Sequence, residues 1–329
     1  MAFKNFQMII LYGSNASGVK NYFKKLFKSY RGLAEEFNNE RDLIFFEEKL
    51  LKKEKVKPLI LTGTSLGSNT IDKKGILFAK KWNLKCFSVI EHWSWYKKRF
   101  ESNNQIILPQ KIFVNDKKAK DDAISDGLPS EKLVILGNPV LEDHLTRSSK
   151  QSHKNTKELR RNYNLEEGKI IICFISESLT EFRKGNDELG FDEFEVFDQL
   201  KKYFHDQKYH ILVKSHPEDC KNKFGKPNQK IGYIDKIPTE DLAMLSDKII
   251  GMGSMLLIEL SFYRNDIISF RPNSLVPFIG NTFNITIPAI DLHSLELAIN
   301  LNATGVEEFK SNYFGSTKRI INFLEQNKL

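Results

Sequence analysis

Glu91 and His92 stand side by side directly after an apolar run, and their side chains suit acid–base chemistry. The run 84–90 predicts a buried strand, which would place both side chains at its carboxyl end. A carboxyl group beside an imidazole is what a general base needs to deprotonate a hydroxyl group. Trp93 follows at once, and its ring is suited to bind a sugar or to pack at a domain seam. We therefore predict Glu91 and His92 as catalytic residues and Trp93 as a binding residue for the hydroxyl-bearing substrate.

A phosphate-binding loop is predicted after the apolar run 209–214, which is typical of a buried strand. Lys214 ends the run, and Ser-His216-Pro217 follows it. The imidazole of His216 can donate a hydrogen bond to a phosphate oxygen, and Pro217 would restrict the loop. A lone histidine is more often structural, so His216 gains weight only from a partner loop.

Gly253 and Ser254 supply that partner loop, because they precede an apolar segment of helical length. Backbone N–H groups at the start of a helix attract anions, including a phosphate or a diphosphate. Glu259 follows within the same segment, where its carboxylate can accept hydrogen bonds from ribose hydroxyls. The sequence thus predicts a nucleotide-phosphate site around His216, Gly253 and Ser254, with Glu259 at the ribose.

Two further strand ends carry small polar residues. Gly13-Ser14-Asn15 follows the apolar run 6–12, in a loop that matches neither the dinucleotide fingerprint nor the P-loop. This loop is either an ordinary turn or a turn that offers backbone N–H groups to the hydroxyl-bearing substrate. Ser176-Glu177-Ser178 follows the run 169–175 and suits either contact with a nucleotide or capping of the next helix.

Strands and helices alternate along most of the chain, which predicts parallel sheets with helices on both faces. The predicted strands are 6–12, 58–62, 84–90, 111–115 and 132–136, then 169–175, 209–214, 248–250 and 266–270. A polar stretch at 146–156 predicts a linker between the two series. We expect a domain at 1–148, a second at 149–315, and a terminal helix at 316–329 that packs back on the first.

Composition narrows the class of protein. The chain has 329 residues, 40% of them hydrophobic and 28% charged, with a net charge of +8. No apolar run approaches the ~20 residues of a membrane span, and no signal peptide is evident, so we expect a cytoplasmic location. The positive charge suits solvated helix faces or peripheral contact with an anionic membrane at its inner face. It comes with no nucleic-acid motif, so we expect no nucleic-acid partner.

The three cysteines, Cys86, Cys173 and Cys220, show no metal-binding or disulfide spacing. We expect Cys86 and Cys173, which lie in strand-like runs, to be buried thiols. The sequence also lacks an Asp-x-Asp motif, so we expect neither a metal nor another cofactor.

The motifs resemble a known fold family. The segment 112–139, ending in Gly-Asn-Pro139, resembles the end of the N-terminal domain of GT-B glycosyltransferases and of non-hydrolysing UDP-GlcNAc 2-epimerases. Motifs of their nucleotide-binding domain are resembled by four short segments of this chain: Val213–Pro217, Ser246-Asp247, Gly253-Ser254 and Glu259-Leu260. The resemblance is greatest to the sialyltransferase, Kdo-transferase and polyol-phosphate-transferase branch of bacterial surface-polysaccharide enzymes. Departures are the single Ser254 at the phosphate loop and the lack of the acidic pair of several sialyltransferases.

This resemblance implies two Rossmann-like doubly wound domains that face each other across a cleft. It implies transfer of a sugar, such as a nonulosonic acid or a Kdo-like sugar, from a CMP- or UDP-linked donor to a glycan or lipid-linked acceptor. The donor residues would be Ser176, Glu177, Ser178, Lys214, His216, Pro217, Gly253, Ser254 and Glu259, and the acceptor residues Gly13, Ser14, Asn15 and Trp93. The alternatives are a UDP-GlcNAc 2-epimerase and a non-catalytic nucleotide-sugar-binding protein.

Overall fold

The computed structural model describes residues 9–28, 30–54, 56–150, 155–182, 189–217, 219–274 and 276–327. The chain forms two compact units. The N-terminal domain comprises Met1–Asp143 and Asn312–Leu329, and the C-terminal domain comprises His144–Ser311. The division at 143 lies inside a helix, Pro139–Ser149, which also contains the boundary expected at 148.

The expected linker at 146–156 is not an irregular segment where it is described. Residues up to Ser149 continue the helix Pro139–Ser149, and a new helix begins at Thr156. Asn155 caps that new helix by accepting a hydrogen bond from the backbone N–H of Lys157. Residues 151–154 lie outside the described ranges.

The N-terminal domain is built on a six-stranded sheet in the order β2-β1-β3-β4-β7-β8, with every pairing parallel. A separate antiparallel hairpin is formed by β5 and β6. The strands are β1 Ile9–Gly13, β2 Leu33–Glu36, β3 Leu59–Thr62, β4 Cys86–Ile90, β5 Glu101–Ser102, β6 Gln105–Ile106, β7 Lys111–Val114 and β8 Leu133–Ile135. The helices are α1 Ser17–Lys28, α2 Glu40–Phe46, α3 Ile71–Lys81, α4 Lys117–Ser125 and α5 Pro139–Ser149, with a π-helical continuation of α2 at Glu47–Glu54 and single 3₁₀ turns at Lys98–Phe100 and Ser130–Lys132.

The C-terminal domain repeats the same architecture, with a six-stranded parallel sheet in the order β11-β10-β9-β12-β13-β14. Its strands are β9 Ile170–Ile175, β10 Tyr209–Lys214, β11 Ile231–Ile234, β12 Lys248–Gly251, β13 Ile267–Phe270 and β14 Ile287–Ala289. Its helices are α6 Thr156–Asn162, α7 Leu179–Phe182, α8 Glu193–Tyr203, α9 Thr239–Leu245, α10 Met255–Leu260, α11 Ile279–Thr282, α12 Leu292–Ala298 and α13 Val306–Ser311. The doubly wound parallel fold expected for both halves is therefore confirmed.

The terminal helix α14, Ser316–Gln326, belongs to the N-terminal domain. Ile320 and Leu324 are fully buried in the apolar core that α1 and the sheet form. The ring of Phe323 packs 5.2 Å from that of Phe113. Gly137 allows this close packing, because it has φ +85° and a Cβ there would lie 2.1 Å from the hydroxyl of Ser316.

None of the described helices is both long enough and apolar enough to cross a bilayer. Cys86 and Cys173 are buried free thiols, as expected, and Cys220 is an exposed one.

Candidate active-site residues at the sheet edges

In the sheet of the N-terminal domain, strands β1, β3 and β4 are neighbours, and the loops that follow their carboxyl ends lie together. Gly63, directly after β3, is packed so closely that a Cβ would lie 2.2 Å from the hydroxyl of Ser14 and 2.5 Å from a carboxylate oxygen of Asp72. A Cβ at Gly18 would lie 3.3 Å from Oε1 of Glu91. Two buried acids thus lie at this edge of the sheet, Asp72 beside Gly63 and Glu91 beside Gly18.

Glu91 is 6% exposed, and its Oε2 atom has no hydrogen-bond partner among the described residues. Oδ1 of Asp72 and the hydroxyl of Tyr22 are also buried without a hydrogen-bond partner among these residues. Burial raises the pKa of Glu91, and the charge of Asp72 adds to this, whereas Arg99 opposes it. The carboxyl group of Glu91 therefore keeps its proton above the usual range for a glutamate, as in acid–base catalysts.

His92 lies beside Glu91 and is more accessible, with a side chain 38% exposed. Its Nε2 atom is 3.8 Å from Oε1 of Glu91, which is too long for a hydrogen bond. Burial of the ring and the nearby Arg99 lower the pKa of His92 to about 4. The imidazole is therefore neutral at pH 7, and the two side chains do not form an ion pair there.

The loop after Glu91 contains two tryptophans, of which one is buried and the other is exposed. Trp93 is buried, and its indole N–H donates to Asp116 at 2.8 Å, so its ring does not offer a face to solvent. Trp95 is 58% exposed, with φ +54°, an uncommon conformation for a bulky residue. Arg99 holds the loop, since its side chain donates to the carbonyl oxygens of Thr64 and Ser94, each at 3.0 Å.

The loop 13–15 is occupied with local contacts. The hydroxyl of Ser14 accepts from Ala16 N at 3.1 Å and lies 3.3 Å from that of Ser65. The side chain of Asn15 accepts from the backbone N–H of Ile71 at 2.8 Å and so satisfies the start of α3. Gly13 packs against Phe37, whose carbonyl oxygen would be 2.3 Å from a Cβ. These contacts give the loop a bracing role, and an acceptor role for it stays a prediction.

In the C-terminal domain, the sheet register sets the carboxyl ends of four strands side by side. Ile175 pairs with both Lys214 and Gly251, and Gly251 also pairs with Ser269. The residues that follow these four positions must therefore meet at one edge, which is where open parallel sheets bind ligands.

A buried ionic network lies beneath this edge. Asp219 accepts hydrogen bonds from the hydroxyls of Ser176 and Ser178, at 2.6 and 2.9 Å. Lys223 binds Asp219 at 2.7 Å and Glu193 at 2.8 Å. Burial is the largest single influence and opposes the ionisation of both acids, but hydrogen bonds from Lys223, from neighbouring hydroxyls and from backbone N–H groups together outweigh it, so the pKa values of Asp219 and Glu193 are lowered. Ser176 and Ser178 are thus bound within the protein.

His216 is half-buried at the end of β10, and its backbone N–H donates to Asp219 at 2.8 Å. Pro217 beside it is exposed. Lys214 donates to the carbonyl oxygen of Ser215 at 2.9 Å, and burial lowers the pKa of its ammonium group. The structure thus brings His216 and Lys214 to the same loop, and the network at Asp219 holds that loop.

Glu177 contacts the predicted phosphate loop directly. Its Oε1 atom accepts from the backbone N–H of Gly253 at 2.6 Å. The hydroxyl of Ser254 accepts from Leu256 N at 3.2 Å and caps α10, which is only six residues long. Glu259 lies on α10, with a carboxylate oxygen 3.4 Å from Nε2 of the buried His144.

Three of these residues were not singled out in the sequence. Asp72, Asp219 and Lys223 lie in polar stretches that resemble any helix start or surface turn. Asp219 alone among them had a local cue, its position just beyond the His216-Pro217 loop. No cluster of three metal-ligating side chains occurs within the described ranges.

Comparison with known proteins supports the fold at low sequence identity. No protein-family model and no curated protein sequence matches the chain. UDP-GlcNAc 2-epimerase from Methanocaldococcus jannaschii, solved with UDP-GlcNAc and UDP, is 16% identical, with a TM-score of 0.63, over 97% of this chain and 99% of that one. S. aureus MnaA, solved with UDP, is 15% identical, with a TM-score of 0.65, over 97% and 96% of the two chains.

The wall teichoic acid polymerase TagF is similar to a comparable extent. It is 12% identical, with a TM-score of 0.57, over 99% of this chain and 90% of that one. At these identities the likeness establishes the fold alone. The chain has the GT-B fold of two Rossmann-like domains, and the fold expected from its motifs is confirmed.

Proposed function

We propose that this chain is a nucleotide-sugar-dependent enzyme and that it transfers a sugar to a glycan or lipid-linked acceptor. One observation carries the proposal: the loop at Gly253 already binds a carboxyl oxygen, Oε1 of Glu177, which accepts a hydrogen bond of 2.6 Å from a backbone N–H. A loop that binds a carboxylate in this way can bind a phosphate oxygen with the same donors. Similar folds in proteins named as UDP-GlcNAc 2-epimerases and a wall teichoic acid polymerase add support.

In this proposal the donor binds the C-terminal domain. Lys214 and His216 face the donor phosphates together with the loop at Gly253 and Ser254, and Glu259 lies near the ribose. Positive and N–H groups at that place stabilise the charge that develops on the leaving phosphate. No step of this reaction requires a metal ion.

The acceptor binds the N-terminal domain, and Glu91 removes the proton of its hydroxyl group. The raised pKa of Glu91 makes it a stronger base than an ordinary glutamate once it is ionised. His92, neutral at pH 7, lies beside it and can orient the hydroxyl group. Trp95 takes the place of the buried Trp93 as the aromatic surface for the acceptor, because its ring is the exposed one.

Epimerisation of a nucleotide sugar is the second candidate. The two buried acids Glu91 and Asp72 favour it, because removal and return of a proton on a sugar ring require paired acid–base groups. The named epimerases with a similar fold point the same way.

Incubation of the protein with one nucleotide sugar at a time distinguishes the two reactions. A glycosyltransferase leaves the donor sugar unchanged until an acceptor is added, whereas an epimerase converts it with the donor alone. The nucleotide is identified first by thermal shift with CMP, CDP, UDP and GDP, since a ligand of the native state stabilises it by RT ln(1 + [L]/Kd). Failure of all four nucleotides to stabilise the protein would refute both reactions.

A further inference from the structure

Glu177 occupies a compact cradle of hydrogen-bond donors. Besides the 2.6 Å bond from Gly253, the backbone N–H groups of the neighbouring Met252 and Ser254 favour the ionised form of its carboxyl group and so oppose the rise in its pKa. The guanidinium of Arg271 borders the same place, since a Cβ at Gly253 would lie 2.8 Å from Nη1 of Arg271 and 3.9 Å from Oε2 of Glu177. One backbone hydrogen bond from Gly253 and the nearby guanidinium of Arg271 therefore border this carboxylate.

The sheet builds this cradle from three consecutive strands. Glu177 follows β9, the loop 252–254 follows β12, and Arg271 follows β13. Arg271 is 8% exposed and is held in place by a bond of 2.9 Å from Nη2 to the carbonyl oxygen of Val276. A phosphate group takes the same donors as a carboxylate, in the same fork geometry at the guanidinium.

The backbone of Glu177 is fixed independently of its carboxylate. Its carbonyl oxygen accepts from Nζ of Lys223 at 3.1 Å, and its neighbours Ser176 and Ser178 are both bound to Asp219. The side chain can therefore leave the cradle by rotation of its own torsions while the end of β9 stays in place. Burial raises the pKa of Glu177, and Gly253 and Arg271 oppose this rise. Desolvation therefore disfavours the ionised side chain inside the cradle.

We propose that the carboxylate of Glu177 occupies the donor-phosphate cradle when no ligand is bound. A phosphate group of the ligand then displaces it. This inference rests on the proposed nucleotide-phosphate site. It makes Glu177 a residue that sets affinity by competition. The apparent Kd of the ligand is its intrinsic Kd divided by the fraction of molecules in which the cradle is open.

The test uses Glu177→Ala, which removes the occupant, and Glu177→Asp, which keeps the charge but shortens the side chain by one methylene. Glu195→Ala is the matched control, because Glu195 is an exposed carboxylate on α8 of the same domain. Isothermal titration measures Kd for inorganic pyrophosphate and for the nucleotide that gives the largest thermal shift, with the melting temperature of each variant as a check on folding.

We expect Glu177→Ala and Glu177→Asp both to bind tighter than the wild type, by about tenfold if the empty cradle is open in a tenth of the molecules. The control should bind as the wild type does. Equal or weaker binding in both variants would show that Glu177 builds the site and would overturn the inference. Tighter binding in Glu177→Ala with wild-type binding in Glu177→Asp would reduce the effect to net charge and would overturn it too.

The two probes separate this inference from the proposed function. If pyrophosphate binds tighter to both variants while no nucleotide binds any form, the cradle and its occupant stand and the nucleotide-sugar function fails. If nucleotides bind the wild type and the variants equally, the function stands and the displacement is refuted. If pyrophosphate binds to none of the forms, the cradle is not a phosphate site and the inference falls.

Discussion

Nζ of Lys223 lies 2.7 Å from Oδ1 of Asp219 in the C-terminal domain, and both side chains are almost wholly buried. Lys223 also contacts Glu193, which has no exposed side-chain area. Asp219 in turn binds the hydroxyls of Ser176 and Ser178 and the backbone N–H of His216. This one ion pair therefore joins the ends of β9 and β10, where the donor site is proposed.

Lys223→Met should destabilise the protein strongly, because it leaves two carboxylates buried without their cation. Removal of one partner from a buried ion pair costs about 3–5 kcal/mol in the free energy of unfolding. Urea denaturation followed by circular dichroism measures it. Lys201→Met is the control, since the ion pair of Lys201 with Asp198 is exposed and worth roughly 1 kcal/mol or less. Similar losses for the two variants would contradict the assigned role of Lys223.

Glu91→Gln should raise the melting temperature at pH 7 and lose that advantage in acid. The folded-state pKa of Glu91 lies above its ordinary value of 4.5, so its contribution to stability falls as the pH rises from that value through the folded pKa. The amide cannot ionise and escapes this loss. Thermal unfolding at pH 7 and near pH 4 checks the sign, and an equal melting-temperature difference at the two pH values would contradict it.

The rate of the reaction should fall on the acid side at a pH above the ordinary pKa of a glutamate. Protonation of Glu91 removes the proposed base there, whereas the lowered pKa of His92 makes its imidazole take up a proton at a lower pH than usual. In Glu91→Gln we expect kcat to drop by about 10²–10⁴-fold and the acid limb to disappear. The pH profile of kcat/KM in the wild type and the variant measures both. An unchanged acid limb in Glu91→Gln would assign it to another group.

His216→Ala and Ser254→Ala should lower kcat, since both residues are proposed to face the donor phosphates. Loss of one donor that stabilises a developing charge typically reduces kcat by about 10²–10³-fold. His205→Ala is a suitable comparison, because His205 is exposed after α8, at the amino-end edge of the same sheet. Full turnover of both site variants with the true donor would refute the proposed phosphate site.

Trp95→Ala should raise the KM for the acceptor and leave donor binding unchanged. The exposed ring offers a face for stacking on a sugar, and such contacts are worth about 1 kcal/mol, or several-fold in KM. Trp82→Phe serves as the reference, because Trp82 closes α3 and has no proposed role in binding. Steady-state kinetics with varied acceptor concentration measures this KM. An unchanged KM in Trp95→Ala would contradict the proposed role of its ring.

Much of the fold could be predicted from local patterns. The central strands β3, β4, β9 and β12 are buried on both faces, so each one leaves a continuous apolar run in the sequence. The edge strands β2, β11 and β14 were not predicted, because each is short, partly exposed and lacks such a run. Helix α10 is shorter than its apolar segment, since the chain turns after Leu260.

For the candidate site residues, the sequence could predict only their location at the edge of a sheet. Glu91, His216 and Gly253 follow buried strands, and parallel strands place such positions at one edge of a sheet whatever the rest of the chain does. Their roles in catalysis and binding stay predictions. Which of Trp93 and Trp95 is buried could not be predicted from the sequence, because two tryptophans two residues apart share the same local signal.

The sequence by itself thus determined the two parallel sheets and the strand ends at which chemistry is proposed, because hydrophobic periodicity and turn residues are local properties. The tertiary structure decided which groups meet at those ends. Glu177 reaches Gly253, and Asp72 lies near Glu91, only through the order and register of strands far apart in the chain. Burial by those strands then sets the pKa values of the acids, and no local pattern carries that information.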